Sequence, residues 1–250
     1  MTLAARAAVA RDLEQAGVIA VIRLEHASEL RPVADALLEG GIRALEVTMT
    51  VPGAVELIEG LAAALPSSAI VGAGTVLDAP TARQVIDAGA RFVVSPVFRP
   101  LLVGLCHERG VPAMPGCFTP TEILDAWERG ADLVKVFPAT SLGPGFIKDI
   151  RGPLPQLRLI PTGGVTRDNA GDWIRAGAVA IGVGSALVDR KAVAARRFDR
   201  IRDAARGFVE AVRAARHGVQ NAAARPEGGQ LSTASSGRSL HAQRFEAEPR

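Results

Sequence analysis

Short apolar runs alternate with amphipathic stretches along most of this chain. The apolar runs are spaced by about 20 to 30 residues, which suits strands that alternate with helices. They predict β-strands at Val18–Arg23, Ile42–Thr48, Ala69–Gly72, Phe92–Ser95, Pro112–Met114, Leu133–Phe137, Leu157–Thr162 and Val179–Gly184. Between them, segments such as Ala27–Glu39 carry their apolar residues on one helical face. This alternation is typical of a parallel sheet that is buried on both faces.

Eight strand–helix units in about 200 residues indicate a closed (β/α)8 TIM barrel, preceded by an N-terminal helix. A doubly wound open sheet is the alternative, but no GxGxxG follows the first strand. We expect one barrel domain over residues 1–216, ending in a long helix at Lys191–Arg216. Residues 217–250 are rich in Gly, Ser, Ala, Gln and Arg without periodicity, and we expect a disordered tail with no role in the chemistry.

Composition argues against a disulfide-dependent, secreted or membrane-spanning protein. The chain has 250 residues, 48% of them hydrophobic, so it can bury a core without a disulfide or a metal. Its two cysteines form no CxxC pair, the N-terminus lacks the pattern of a signal peptide, and no apolar run is long enough for a membrane span. We therefore expect a cytoplasmic protein.

A net charge of +3 with 4% aromatics and no basic stripe argues against a nucleic-acid partner.

Metal and cofactor motifs are missing from the sequence. There is no HExxH, no Cys/His cluster, no P-loop and no GxSxG, and the four histidines are far apart. We expect no metal and no other cofactor.

The position of Lys135 is the strongest sign of chemistry. The active site of a parallel barrel lies at the carboxyl ends of its strands. The chain has three lysines, and Lys148 and Lys191 fall in helical stretches, whereas Lys135 lies inside an apolar strand. Alternation along the strand predicts that Leu133, Lys135 and Phe137 face the interior. An amine desolvated among apolar groups can attack a carbonyl, which a guanidinium cannot. The structural alternative is a buried lysine that only pairs with a carboxylate.

A carboxylate is expected in the same interior. Alternation along the second strand puts Ala44, Glu46 and Thr48 on one side and Leu45 and Val47 on the other. Beside Lys135, Glu46 could act as a general acid and base. The alternative for Glu46 is a structural salt bridge, for instance with Arg23.

Two glycine-rich turns follow the last two strands. They are Pro161-Thr162-Gly163-Gly164 and Gly182-Val183-Gly184-Ser185. Glycines let backbone N–H groups approach an anion, and the loops after strands 7 and 8 of a barrel often bind phosphate. We expect these turns to contact the substrate, although they could merely connect elements.

Several segments resemble the 2-keto-3-deoxy-6-phosphogluconate (KDPG) aldolase family, which also includes 4-hydroxy-2-oxoglutarate (KHG) and 6-phosphogalactonate aldolases. They occur in family order, between about Val18 and Arg216. The matching segments are Gly41–Thr48, Val71–Val76, Val94–Pro96, Met114–Gly116, Val134–Ala139 and Pro161–Val165.

The resemblance implies a class I aldolase with defined residue roles. Lys135 would form a Schiff base with pyruvate or the 2-keto acid, and Glu46 would move protons. Thr75 would contact the pyruvyl carboxylate, and Phe137 and Pro96 would wall the pocket.

The resemblance also implies a phosphate site and an assembly. Gly163, Gly164, Gly184 and Ser185 would hold the phosphate of the substrate, and the protein would form a homotrimer. One departure concerns Thr50, which stands where some members carry an arginine that binds the substrate carboxylate. Arg23, at the end of the first strand, could supply that charge instead.

Three functions from these residues stay open. The first is reversible cleavage of KDPG to pyruvate and glyceraldehyde 3-phosphate. The second is the same chemistry on the 6-phosphogalactonate epimer or on 4-hydroxy-2-oxoglutarate. The third is a phosphate-binding barrel without catalysis or an isomerase on the same scaffold, since barrels host many functions. Nucleic-acid binding through the arginine-rich last helix is a fourth and weaker alternative.

Overall fold

Helices and strands alternate throughout the computed structural model, which describes residues 3–223. The strands are β1 Val18–Ile22, β2 Ala44–Thr48, β3 Ile70–Gly74, β4 Val93–Val94, β5 Ala113–Met114, β6 Gly116–Cys117, β7 Val134–Val136, β8 Leu159–Pro161 and β9 Ile181–Val183. The helices are α1 Leu3–Ala16, α2 Leu30–Glu39, α3 Ala54–Ala64, α4 Ala79–Asp87, α5 Pro100–Glu108, α6 Pro120–Glu128, α7 Gly143–Arg151, α8 Arg167–Arg175, α9 Arg190–Ala194 and α10 Phe198–Ala223. Short 3₁₀ turns at Ala27–Glu29 and Ala139–Ser141 precede α2 and α7.

The strands form a closed ring of parallel neighbours. Six of them pair in the order β5-β4-β3-β2-β1-β9, and three pair in the order β6-β7-β8. A parallel bridge between Thr162 and Gly182 joins β8 to β9, and β6 follows β5 directly in the chain. The barrel expected from the alternating pattern is therefore confirmed, including the N-terminal helix in front of it.

The fifth strand position differs from the prediction. We expected one strand at Pro112–Met114, but the chain continues past Pro115 and pairs again as β6. β5 pairs with β4, whereas Gly116 in β6 is in register with Lys135 in β7. Because proline has no N–H to donate, strand pairing with β4 stops at Pro115. The carbonyl of Pro115 accepts the backbone N–H of Lys135 at 2.9 Å, which begins the pairing with β7.

Side-chain caps fix where several helices begin. Thr119 and Thr166 each accept the backbone N–H three residues on, and Glu122 and Asn169 reach back to the capping residue, which completes a capping box at α6 and at α8. Because α8 follows the turn after β8, the capping box of α8 also fixes the geometry of that turn.

Helix α1 closes the amino-terminal end of the barrel. Val9 and Leu13 of α1 are fully buried and join an inner apolar cluster formed by side chains from the strands. The strand residues of this cluster and their flanks are Ile19, Ala44, Ile70, Phe92, Val94, Met114, Leu133, Ile160 and Ala180. Ion pairs of Arg6 with Asp132 and of Glu14 with Arg158 hold α1 against the barrel.

The C-terminal helical region is divided differently from the prediction. Instead of one helix at Lys191–Arg216, α9 ends at Ala194 and α10 runs from Phe198 to Ala223, so residues 217–223 are helical rather than part of a tail. Arg196 between the two helices has a positive φ of 53°, which interrupts the helical backbone. The part of the tail prediction that concerns residues 224–250 lies outside the described residues.

No helix within residues 3–223 is both long enough and apolar enough to cross a membrane.

Candidate active site

Lys135 lies inside the barrel, as alternation along its strand predicts. Its neighbours Val134 and Val136 belong to the apolar layer between strands and helices, whereas Leu133 belongs to the inner cluster. Only 2% of Lys135 is exposed, and its Nζ lies 5.1 Å from the ring centroid of Phe137. A long, polar side chain is thus held between an apolar floor and an aromatic ring.

The carboxylate of Glu46 meets the amine of Lys135 in this interior. The distance from Nζ of Lys135 to Oε1 of Glu46 is 3.6 Å, and each side chain is 3% exposed. At that distance the two groups attract each other without a short hydrogen bond. Oε1 of Glu46 is buried and has no hydrogen-bond partner, so it can accept a proton or a hydrogen bond from a bound molecule. Glu46 therefore pairs with Lys135 and not with Arg23, which we considered as the alternative partner.

Gly74 at the end of β3 provides the space for the Glu46 carboxylate. A Cβ atom at Gly74 would lie 2.1 Å from Oε1 and 2.6 Å from Cγ of Glu46, closer than two heavy atoms can approach. We did not single out Gly74 as a site residue from the sequence. The available sign was a glycine at a strand position, which often marks a close approach.

A cavity of about 90 Å³ opens at the carboxyl ends of β1, β8 and β9. It brings together seven of the nine residues that we predicted as substrate ligands: Arg23, Phe137, Thr162, Gly163, Gly164, Gly184 and Ser185. Phe137 lines this cavity and also faces the amine of Lys135, so it connects the cavity with the Lys135–Glu46 pair.

The turn after β8 has a backbone conformation that depends on two glycines. Gly163 and Gly164 have φ values of 96° and 70°, which side-chain-bearing residues rarely adopt. A Cβ at Gly164 would lie 2.8 Å from the Cα of Thr140, so glycine is also required by packing. Asn169 donates from Nδ2 to the carbonyl of Gly164 at 2.9 Å and holds the turn at the start of α8. Thr140 was not foreseen from the sequence.

Thr75 and Pro96 do not line this cavity but lie beside the Lys135–Glu46 pair. Thr75 directly follows Gly74 and has a φ of 60°, a conformation that costs energy for a β-branched residue. A Cβ at Gly116, the residue in register with Lys135, would lie 2.3 Å from the carbonyl oxygen of Pro96. Thr75 is therefore next in the chain to a residue that contacts Glu46, and Pro96 packs against the strand residue that is paired with Lys135.

Thr50 is fixed in a way that limits its use as a ligand. Its hydroxyl lies 2.7 Å from Oγ1 of Thr48, and Thr48 donates to the carbonyl of Ile22 at 3.0 Å. Since the hydroxyl proton of Thr48 is used there, Thr50 donates to Thr48 and presents only lone pairs to the site. A substrate carboxylate would find no donor at Thr50, whereas the exposed guanidinium of Arg23 lines the cavity.

Neither cysteine is placed for nucleophilic chemistry. Burial raises the pKa of Cys106 and of Cys117 to about 12, so both thiols stay protonated at neutral pH. Within residues 3–223, no group of three His, Cys, Asp or Glu side chains could hold a metal ion.

Comparison with known proteins identifies close sequence relatives. The model of a family described as KDPG and KHG aldolase matches residues 9–204. The KHG/KDPG aldolase of Escherichia coli K12 is 40% identical over 194 residues, which cover 77% of this chain and 89% of that protein. A probable 2-dehydro-3-deoxy-6-phosphogalactonate aldolase of Rhizobium meliloti is 38% identical over 171 residues, covering 68% of this chain and 81% of that one.

The fold agrees with a solved member of the same group. The crystal structure of KDPG aldolase from Legionella pneumophila, with pyruvate captured at low pH as a covalent carbinolamine intermediate, superposes with a TM-score of 0.75. It is 30% identical and covers 80% of this chain and 97% of its own. The similarity therefore spans the whole barrel of both proteins.

Proposed function

Because the chain belongs to the KDPG and KHG aldolase family, we propose that it is a class I aldolase that reversibly cleaves KDPG to pyruvate and glyceraldehyde 3-phosphate. The observation that carries this proposal is the buried amine of Lys135, 3.6 Å from an otherwise unpartnered carboxylate oxygen of Glu46. A bond cleavage that proceeds through an imine needs a nucleophilic amine and a nearby acid and base.

The proposed reaction begins when the amine of Lys135 attacks the C2 carbonyl carbon of the substrate. The resulting carbinolamine loses water to form an iminium, with Glu46 giving and taking the protons. Glu46 then accepts the proton of the C4 hydroxyl as the C3–C4 bond breaks. The electron pair of that bond moves to the iminium, so glyceraldehyde 3-phosphate leaves and an enamine remains. Protonation of C3 and hydrolysis of the imine release pyruvate and regenerate Lys135.

We assign the phosphate of the substrate to the cavity at β8 and β9. Backbone N–H groups of the turns at Gly163-Gly164 and Gly184-Ser185 and the N-terminus of α8 favour an anion there. Arg23 adds a positive charge from the end of β1. The carboxylate end of the substrate would lie near Thr75, which follows Gly74, the residue packed against the Glu46 carboxylate.

Covalent trapping tests the proposal directly. Incubation with pyruvate and borohydride should reduce the imine to a stable adduct, which mass spectrometry of peptides locates at Lys135. Lys135→Ala should lose both the adduct and the cleavage of KDPG, whereas Lys148→Ala, which alters an exposed lysine of α7, should keep both. An adduct at Lys148, or cleavage that survives in Lys135→Ala, would overturn the assignment.

The galactonate epimer is a second candidate substrate, because the Rhizobium relative carries that name. The two substrates differ at one hydroxyl, and KHG replaces the phosphate-bearing portion with a carboxylate. We expect the highest kcat/KM for KDPG. Rates on the three purified substrates decide between them, and a higher value for either alternative would reassign the substrate without changing the imine chemistry.

We also propose a homotrimer, as the family resemblance implies. Exposed apolar side chains on the loops after β3, β4 and β6 and in the first turn of α5 support an interface: Leu77, Val97, Phe118 and Leu101. Leu101 is 84% exposed. Light scattering after size-exclusion chromatography should give three times the 26.0 kDa of one chain. Leu101→Asp should yield monomers, and Leu3→Asp, on the opposite end of the barrel, should not.

A cytoplasmic location remains part of this proposal. It is supported by the two cysteines, which are both buried free thiols in the described fold. Fractionation of cells that express the full chain would test it, and recovery from a secreted or periplasmic fraction would contradict it.

A further inference from the structure

A second cavity lies at the amino-terminal end of the barrel, far from the carboxyl ends of the strands. It has a volume of about 340 Å³ and is bounded by the segments before β1 and β2 and by the C-terminal part of α10. We call it the basal groove and define it by its polar lining residues, Gln15, Arg43, Arg213, Arg216, His217 and Gln220.

Positively charged side chains predominate in the lining of the basal groove. Its lining contains three arginines and one histidine, and none of the described residues that line it is an aspartate or a glutamate. Arg43 and Arg213 are exposed, and neither forms an ion pair within residues 3–223. Two like-charged guanidinium groups beside each other repel, so an anion between them would be stabilising.

Arg216 provides a rigid positive charge in the wall of the groove. Its guanidinium donates to the backbone carbonyls of Gln15 at 3.0 Å and Val179 at 2.8 Å, and to that of Glu14. Burial lowers the pKa of Arg216, while the charge of Glu14 opposes this shift. The Glu14 carboxylate is held by Arg158. Arg216 is thus half-buried and fixed by carbonyl groups, and the one carboxylate whose charge is seen to act on it, that of Glu14, is also paired with Arg158.

We propose that the basal groove is a binding site for a compact, multiply charged anion of the polyphosphate or phosphorylated-metabolite class. Its volume lies within the range of small-molecule sites. The planar guanidinium groups of Arg43 and Arg213 suit bidentate contacts to phosphate oxygens, and the two glutamine side chains add hydrogen bonds. Since the groove is at the opposite end of the barrel from Lys135, substrate and this anion can be bound at the same time.

Isothermal titration calorimetry with inorganic tripolyphosphate, at about 150 mM salt to screen weak surface binding, tests the site on the full chain. In Arg43→Gln/Arg213→Gln the dissociation constant should rise about tenfold or more, because charge-assisted hydrogen bonds are lost. Arg83→Gln/Arg200→Gln removes the same charge from exposed positions elsewhere and should leave the constant unchanged. Cleavage activity without tripolyphosphate should be the same in both double variants.

One more variant separates the basal groove from the proposed substrate-phosphate site. Ser185→Asp places a negative charge in the turn after β9, so tripolyphosphate bound there would be displaced, whereas binding in the basal groove would persist. The proposal is overturned if no saturable binding occurs, if both arginine double variants weaken binding equally, or if only Ser185→Asp weakens it. These outcomes do not depend on the aldolase assignment, which trapping at Lys135 tests separately.

Discussion

The two halves of the barrel interior contain different kinds of residue, although the same strands enclose both. The amino-terminal half is entirely apolar and is closed by Val9 and Leu13 of α1. The carboxyl-terminal half and its rim hold all the buried polar or charged side chains found within residues 3–223: Glu46, Thr48, Ser95, Lys135 and Thr162. The boundary between the halves runs within single strands, since Leu133 and Lys135 are two residues apart.

This division separates stability from chemistry. Each fully buried large apolar side chain contributes about 1.5–3 kcal/mol to stability. A buried ion pair instead has to offset the desolvation of both groups, and apolar replacements are often as stable or more stable. The apolar half therefore stabilises the fold, whereas the Lys135–Glu46 pair adds little net stability and is explained by the chemistry that we propose for it.

The largest expected effect comes from making the polar half apolar. Lys135→Met/Glu46→Met should lower kcat/KM for KDPG cleavage by roughly 10⁴-fold or more, because nucleophile and proton carrier are both removed. The same variant should unfold at equal or higher urea concentration, with a gain of about 1–4 kcal/mol at most. Lys135→Met alone should be less stable than the double variant, since it leaves Glu46 buried without its partner. A double variant less stable than the single one would contradict this division.

A smaller loss of activity is expected when Glu46 is displaced but not replaced. Gly74→Ala puts a methyl group where the Glu46 carboxylate lies, so kcat should fall by about 10²–10³-fold, as for a misplaced general acid and base. Pyruvate and borohydride should still label Lys135, though more slowly. Gly104→Ala in α5, where a methyl group meets nothing within 4 Å, is the matched control and should keep full activity. Equal kcat in the two variants would refute the role of Gly74.

The apolar half is tested through stability. Leu13→Ala removes a fully buried side chain from α1 and should lower the free energy of unfolding by about 2–5 kcal/mol, with kcat little changed below the melting transition. Leu3→Ala, in the same helix but 71% exposed, should change it by less than about 0.5 kcal/mol. Denaturant titration measures both, and similar values for the two would argue against a closing role for α1.

The smallest effect is expected at Thr75, which follows β3 at the carboxyl end of the barrel. Asparagine tolerates the left-handed conformation better than a β-branched residue, so Thr75→Asn should stabilise the fold by up to about 1 kcal/mol. KM for pyruvate in the condensation direction should rise, because the proposed carboxylate contact changes. A stabilised variant with an unchanged KM would leave Thr75 without the proposed role in binding.

Local patterns were sufficient for much of the fold. Apolar runs and their spacing predicted the barrel, and alternation within β7 correctly placed Leu133 and Lys135 inside. The prediction was wrong at Pro115, where one expected strand became two pairings, and at Arg196, where one expected helix became two. The error at Pro115 depends on which strand the backbone meets in space, and no local pattern contains that information. The helix break at Arg196 is a local change of backbone conformation, in which the N–H groups of Arg196 and Arg197 bond back to Val193 and Ala192.

The candidate site, like the fold, could be predicted from the sequence only in part. The sequence predicted that Lys135 and Glu46 face the same interior, and it placed most of the residues that line the 90 Å³ cavity at the ends of neighbouring strands. It did not reveal that Gly74 makes room for a carboxylate or that Thr140 packs against Gly164, because these requirements arise between segments far apart in the chain. Their functional roles are still proposals that the experiments above address.

The sequence by itself determined the alternation of strands and helices and the identity of the one lysine in an apolar strand, because periodicity and desolvation act through nearby residues. Only the tertiary structure decided the 3.6 Å approach of Lys135 to Glu46, the change of partner at Pro115 and the gathering of Arg43, Arg213 and Arg216 at the opposite end. Such arrangements follow from closing the ring, which brings the first and last strands together and fixes distances that the linear chain leaves free.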